Sequence, residues 1–256
     1  MKVPAKIRSN LDWMSSDIPL ILPNWQAPAN VVAYTTTRHG GCSDGNYASL
    51  NVGDHVGDCT EQVSRNRRLL PHHEKLHWLN QVHGHRVVKL PTTQTEADAA
   101  VSRSAGHFCA VMTADCVPVL LCNQHGSEVA AIHAGWKGLH LNVIEHTIAA
   151  MQSPANTLLA WIGPAISQAC YEVSEQVARH FSQYPGAIIR SDNVDKYLLD
   201  LPMIAHSQLA SLGLQHITPS ALCTYADERF FSHRQATHQQ QQQTGRMVSV
   251  IGLRGV

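Results

Sequence analysis

Two apolar, β-branched runs at 117–122 and 128–133 are separated only by Asn123-Gln124-His125-Gly126-Ser127, a cluster of turn formers. So short a polar break between two strand-type runs restricts them to an antiparallel hairpin. With the turn centred between Gln124 and His125, residue 116 falls opposite residue 133. Cross-strand partners lie roughly 4.5–5.5 Å apart, which brings Cys116 and His133 within reach of one metal ion. A slip of one residue would turn one of the two to the opposite face, so the pair depends on the register. A thiolate and an imidazole make two thirds of an open metal site, with a third ligand to come from upstream.

The surrounding pattern predicts more strands in runs, with helices interspersed. A strand at 31–37 leads into the Gly-rich turn Arg38-His39-Gly40-Gly41. Asp58-Cys59-Thr60-Glu61 has the form of a helix cap with an acidic residue three positions on, opening a helix through Leu70. A further strand is expected at 108–113. Leu139, Val143, Ile144, Ile148 and Met151 keep helical spacing after the second hairpin strand. A strand at 157–162, helices at 173–181 and 204–212, and a closing strand at 247–253 complete the reading. This order favours an α+β fold, a single domain over residues 1–256 of layered mixed β-sheets flanked by helices, over a regular βαβ alternation. His238 followed by Gln239–Gln243 is the one low-complexity tract, and 238–243 reads as a mobile Gln-rich surface loop.

Composition narrows the function. The 256 residues, 44% of them hydrophobic, suffice for a sizeable core. Lys+Arg and Asp+Glu both number 19, so no net field draws the chain to nucleic acid or anionic membranes, and small-molecule ligands fit better. No apolar run has the roughly 18 residues of a membrane span, and Met-Lys-Val-Pro-Ala-Lys lacks the apolar segment of an export signal. A cytoplasmic protein is expected. The seven cysteines form no CxxC pair, which points to a reducing compartment with thiols buried or used as ligands. Cys170 and Cys223 are read as small buried residues with nothing nearby to lower their pKa.

Several segments in fixed order then carry a resemblance. They are Thr37-Arg38-His39-Gly40-Gly41, Ser49-Leu50-Asn51-Val52-Gly53, His55-Val56-Gly57-Asp58, Asn80-Gln81-Val82-His83-Gly84, Ala97-Asp98-Ala99, the run Thr113-Ala114-Asp115-Cys116 with the strand after it, and His133-Ala134-Gly135-Trp136. Later come Gly163-Pro164-Ala165-Ile166, Leu199-Asp200-Leu201, Cys223-Thr224 and Phe230-Phe231-Ser232. Together they resemble the laccase-domain, or polyphenol-oxidase-like, purine nucleoside phosphorylases, a family with a bacterial peptidoglycan editing branch. The resemblance implies layered sheets, a zinc site of His83, Cys116 and His133, phosphorolysis of adenosine, inosine and methylthioadenosine, and deamination of adenosine. Lys137 replaces the commoner Arg, which keeps the charge but loses the bidentate fork. His233 and Gln235 stand where Tyr and Arg are usual.

Three protein ligands with a fourth position left open mark a catalytic rather than a structural zinc. Cys122 lies too far along its strand to be a fourth ligand, and His85, on the same face of a strand as His83, competes for the third position. Asp115 is the candidate proton carrier, or an acid that ties down its turn. Arg38, Gly40 and Gly41 are expected to cradle phosphate, or to form an ordinary tight turn. Asn51 and Gln81 offer amides to ribose or base, Trp136 walls or stacks on the pocket, and Lys137 reaches phosphate. Three other functions compete. A copper polyphenol oxidase needs several His-x-His pairs where this chain has only His83-Gly84-His85. A peptidoglycan-precursor editing hydrolase would use the same zinc, and a non-enzymatic zinc-stabilised binding module would use the metal for folding alone. The oligomeric state is not legible.

Overall fold

The computed structural model describes residues 18–255; the amino-terminal segment read above for an export signal lies outside them. In chain order the strands and helices begin with β1 (Leu20–Ile21), β2 (Val31–Thr36), α1 (Thr60–Arg68), β3 (Leu76–His77), β4 (Val87–Leu90) and β5 (Ala99–Ser102). There follow β6 (Phe108–Thr113), β7 (Val117–Asn123), β8 (Val129–Ala134), α2 (Trp136–His140), α3 (Val143–Ala150) and β9 (Leu158–Ile162). The remainder is β10 (Glu172–Ser174), α4 (Glu175–Arg179), β11 (Ile188–Arg190), β12 (Lys196–Leu199), α5 (Leu201–Ser211), β13 (His216–Pro219), α6 (His233–His238) and β14 (Met247–Leu253).

Two sheets stack face to face. One runs β1-β2-β14-β6-β3 and the other β13-β9-β7-β8-β5-β4, with a small sheet β10-β12-β11 to one side. The central strands are apolar without alternation because both of their faces are covered. Along β7, Leu120 and Cys122 meet Val111 and Ile251 between the sheets, while Val119 and Leu121 meet α3 and α5 on the far side. Along β14, Val248 and Val250 face Tyr34, Leu50 and Leu70 on the outer side of the first sheet. Each large side chain so buried contributes about 1.5–3 kcal/mol. This is the mixed α+β architecture of layered sheets that the sequence predicts. Among the described residues no helix is long and apolar enough to cross a membrane.

Several local expectations are corrected. The hairpin pairs Val117 with Ala134 and Pro118 with His133, so Cys116 is not the cross-strand partner of His133. The turn centre sits one position later than expected, because Gly126 takes φ 63 and the Asn123 side chain accepts from Ser127 N. Shifting one end by two residues preserves the face, and the Cys116 and His133 side chains still converge. The helical run after Trp136 breaks at Asn142, at φ 59, into α2 and α3. The helix expected at 173–181 is β10 followed by the short α4. Cys59, with no side-chain cap bond, is the N-cap of α1, while Asp58 accepts from Ser43 Oγ and Asn51 Nδ2. His83 lies in no strand; it occupies a left-handed turn at φ 58.

Candidate metal centre

Cys116 lies in the link between β6 and β7, where the chain crosses from one sheet to the other, and His133 is near the end of β8. His83 comes from the loop before β4. Its turn is shaped by Asp98, which is fully buried beside β5 and accepts from Val82 N, His83 N and Gly84 N at 3.4, 2.9 and 2.7 Å. The same carboxylate is 2.8 Å from His133 Nδ1, and Asp98 O accepts from His133 N at 2.7 Å. One buried acid therefore positions two imidazoles. The Nδ1–H contact holds the His133 ring with Nε2 as its free coordinating nitrogen.

The ligand atoms of His83, Cys116 and His133 all lie within 4.8 Å of one another, and Cys116 Sγ is 3.9 Å from His83 Nε2. Usual zinc bond lengths in tetrahedral geometry place sulfur and nitrogen about 3.6 Å apart, so the set needs only a small contraction to hold a divalent ion. His133 is buried, Cys116 half-buried and His83 exposed, which leaves the group open on the His83 side. An added methyl at Gly135 would sit 2.9 Å from Cys116 Sγ and 3.1 Å from His83 Cδ2. The glycine of His-Ala-Gly-Trp is thus the gap into which two ligands fit.

Electrostatics favour the ligand form of the thiol and leave a proton on its imidazole partner. Burial alone would push the Cys116 thiol up, but His133 and then His83 bring it down to about 6. Burial would lower His133, yet Cys116 and Asp98 raise it to about 9. Such a pair holds one mobile proton that a metal ion would displace.

A cleft of about 290 Å³ opens over the group, lined also by His55, Gln81, Met112, Thr113, Ala114, His233 and Arg246. Arg246 directly precedes β14, whose Met247 pairs with Thr113 at the end of β6. Burial lowers its guanidinium pKa, with Cys116 and Asp115 opposing, and Arg remains charged in any case. His55 and His233 are held below the ordinary imidazole value by burial and by Arg246.

Other residues singled out from sequence fall elsewhere. Arg38, Gly40 and Gly41 do not line this cleft. Arg38 Nε donates to Ala48 O at 2.8 Å with its guanidinium 4.7 Å from the Phe231 ring centre, and Gly41 is packed against Ser49 and Leu50 backbone. Asn51 is buried, its oxygen accepting from Gly53 N and Arg246 N. Gln81 lines the cleft, but both ends of its amide are bonded to Met112 backbone at 2.8 and 2.7 Å. These two amides fix the loops that carry Arg246 and His83. Asp115, at φ 91, accepts from Thr224 Oγ1 and Arg234 N at 2.7 Å each, the contacts of an acid that ties down its turn. Trp136 is the first residue of α2 and lies outside the cleft lining, its ring stacked on His180, and exposed Lys137 leans towards it. His85 pairs with His146 instead of joining the ligands. Cys122 is buried within β7, its thiol pushed up to about 12. Cys170 and Cys223 are half-buried rather than buried, and Ser167 Oγ donates to Cys223 Sγ at 3.1 Å, so the reading of inert core thiols is corrected.

Sequence reasoning passed over Asp98, Arg246 and His55 as functional residues. Asp98 was visible only as the acid in Ala97-Asp98-Ala99, a polar residue between small apolar ones and so a buried acid in want of partners. Arg246 carries no local signal.

Comparison with known proteins gives the family. The family model described as multi-copper polyphenol oxidoreductase laccase matches residues 32–254. Purine nucleoside phosphorylase YfiH of Escherichia coli (strain K12) is 43% identical over 248 residues, covering 91% of this chain and 98% of the relative. Purine nucleoside phosphorylase PA4543 of Pseudomonas aeruginosa is 39% identical over 243 residues, with the same shares covered. The crystal structure of Neisseria meningitidis protein NMB0706 superposes with a TM-score of 0.85 at 41% identity, over 92% of this chain and 99% of that one. YlmD from Geobacillus stearothermophilus gives 0.81 at 31% identity, over 94% and 100%. The chain belongs to the laccase-like polyphenol oxidoreductase family, among the relatives named purine nucleoside phosphorylases.

Proposed function

We propose that this chain is a zinc-dependent purine nucleoside phosphorylase acting on adenosine, inosine and methylthioadenosine, and that the same cleft deaminates adenosine. The observation that carries the reading is one cleft combining His83, Cys116 and His133, backed by Asp98, with the cationic Arg246 at its wall. The names of the relatives support the nucleoside and phosphate chemistry. His83, Cys116 and His133 would hold the ion, and bound zinc supplies Lewis acidity towards an oxygen atom.

The rest of the work falls to the chain. Arg246 Nη1 donates to Thr244 O and Gly245 O, which aims the guanidinium and leaves its other N–H groups for phosphate. Held there, a phosphate oxygen forms a bond to C1′ of the ribose as the C1′–N9 bond breaks, and the electron pair leaves on the purine, which then takes a proton. Neutral His55 and His233 offer hydrogen bonds to ribose and base. Met112 and Ala114 give the cleft an apolar side for a flat ring. In deamination water replaces phosphate as the nucleophile, adding at C6 of adenine with loss of ammonia. Asp98 keeps His133 in one tautomer throughout.

Copper also accepts two imidazoles and a thiolate, but reduction of dioxygen by a multi-copper enzyme needs several ions. Among the described residues a single group of three ligand residues is found, enough for one ion and not for a multi-copper cluster. Inosine cleavage by the reconstituted protein should require both zinc and phosphate and fall to background in His133→Ala. Turnover retained in folded His133→Ala, or stoichiometric copper with robust phenol oxidation, would overturn the reading.

A further inference from the structure

Away from the metal ligands, a second reactive group is built where two distant segments meet. Ala165 and Cys223 form an isolated parallel bridge, with Ala165 N donating to Leu222 O at 3.2 Å and Thr224 N to Ala165 O at 3.0 Å. This fixes Cys223 against the turn Ser167-Gln168-Ala169-Cys170, itself closed by Cys170 N donating to Ser167 O at 3.0 Å. Cys223 Sγ accepts from Ser167 Oγ at 3.1 Å and from Ser167 N at 3.4 Å, which brings it to the turn that Cys170 closes, near enough for the two thiols to act on each other electrostatically. Both cysteines are half-buried, and Cys223 lines a small cavity of about 170 Å³ with Ser167 and Gln168. Gln168 Nε2 is buried there without a hydrogen-bond partner.

Two thiols of unlike character result. Burial pushes Cys223 up, but the donors from Ser167, then the backbone N–H groups of Ala226 and Tyr225, outweigh it and hold the thiol below its ordinary value. Burial raises Cys170; Ser167 works against this, and the neighbouring Cys223 sulfur raises it further. A thiol held below its ordinary value beside one held above it is the arrangement of an attacking and a resolving cysteine.

We propose that Cys223 and Cys170 form a peroxide-oxidised dithiol whose closure to a disulfide acts on the turn carrying Cys116. Cys223 sulfur attacks one oxygen of hydrogen peroxide, the O–O bond breaks, and the departing hydroxide takes the proton released by Cys223 to leave as water. Cys170 sulfur then attacks the resulting Cys223 sulfenic acid, the S–O bond breaks, and the second water leaves with the Cys170 proton. Two thiols lose two electrons and two hydrogens, and one peroxide becomes two waters. A small dithiol reverses the step by exchange. Coupling to the metal site is direct, since both segments hold Asp115: Ile166 N donates to Asp115 O at 3.0 Å, and Thr224 Oγ1 to Asp115 Oδ1 at 2.7 Å. Drawing Cys170 and Cys223 into a covalent bond shifts both anchors of the residue next to Cys116. The inference does not rest on the nucleoside reading.

Peptide mapping under non-reducing conditions, after brief treatment of the full chain with hydrogen peroxide, tests it. The expected result is a Cys170–Cys223 linked peptide that disappears on adding dithiothreitol. In Cys170→Ser a dimedone adduct should accumulate at Cys223, and in Cys223→Ser neither product should form. Hydrogen exchange over residues 113–117 should change on oxidation of the wild type and not of either variant. Oxidation confined to exposed Cys42 and Cys59, with 170 and 223 unlinked, overturns the dithiol. A linked peptide with unaltered exchange at 113–117 overturns the coupling.

Discussion

Replacing Gly135 by alanine puts a methyl carbon 2.9 Å from Cys116 Sγ and 3.1 Å from His83 Cδ2, where ordinary contact begins near 3.4 Å. One or both ligands must therefore retreat by about 0.3–0.5 Å, beyond the roughly 0.2 Å that metal–ligand distances tolerate. Gly135 sits at φ −73, ψ 172, which any residue adopts, so the substitution carries steric pressure without backbone strain. Overpacking costs about 1–3 kcal/mol. The loss of unfolded-state freedom on going from glycine to alanine returns about 0.4–1 kcal/mol, so the metal-free variant should stay folded. Misplaced ligands should weaken metal binding by about 10–100-fold, the range seen when metal-site geometry is disturbed from outside the ligands. Competition with a chelating dye, beside thermal unfolding of the metal-free protein, separates the two effects. A Gly135→Ala protein that binds metal as tightly as wild type would refute the close-packed ligand geometry.

Asp98→Asn removes the charge that three backbone N–H groups and His133 share, and should weaken metal binding about 10–100-fold and lower the melting temperature, read by titration and calorimetry. Since Cys116 is lowered to about 6 and His133 raised to about 9, the metal-free pair keeps one proton between those values that binding expels. Apparent metal affinity should thus climb about tenfold per pH unit from neutrality and flatten above about pH 9, as measured by chelator competition in buffers of matched ionic strength. Arg246→Gln should raise the KM for phosphate by about 10–100-fold, the worth of a charged hydrogen bond, with a smaller change in the KM for inosine, measured by initial rates.

Much of the fold is legible because its central strands carry unbroken apolar runs. Phe108–Thr113 and Met247–Leu253 coincide with the predicted strands, since burial on both faces makes them apolar but for Thr113 and Ser249. Short strands such as Leu76–His77 and Ala99–Ser102 escape notice because two residues, or an alanine-rich four, give no period to read. The convergence of Cys116 and His133 was reachable from a hairpin with the wrong centre, because a two-residue shift keeps both on one face, whereas His83 entered only through the resemblance. The shape of the His83 loop was not reachable. A carboxylate 14 to 16 residues away gathers its N–H groups, and nothing within the loop announces it. Arg246 supplies the charge in the cleft for a similar reason: β14 pairs with β6 from the far end of the chain. The approach of Cys223 to the turn that carries Cys170 likewise depends on a bridge between segments 58 residues apart, 165 and 223.

Anomalous diffraction at the zinc edge, from crystals of protein purified without added metal, tests the central claim most directly. The account predicts one strong peak at bonding distance from His83 Nε2, Cys116 Sγ and His133 Nε2, with its remaining side turned to the cleft beneath Arg246. A peak at some other group of residues, or an ion closed off by a fourth protein ligand, would contradict it.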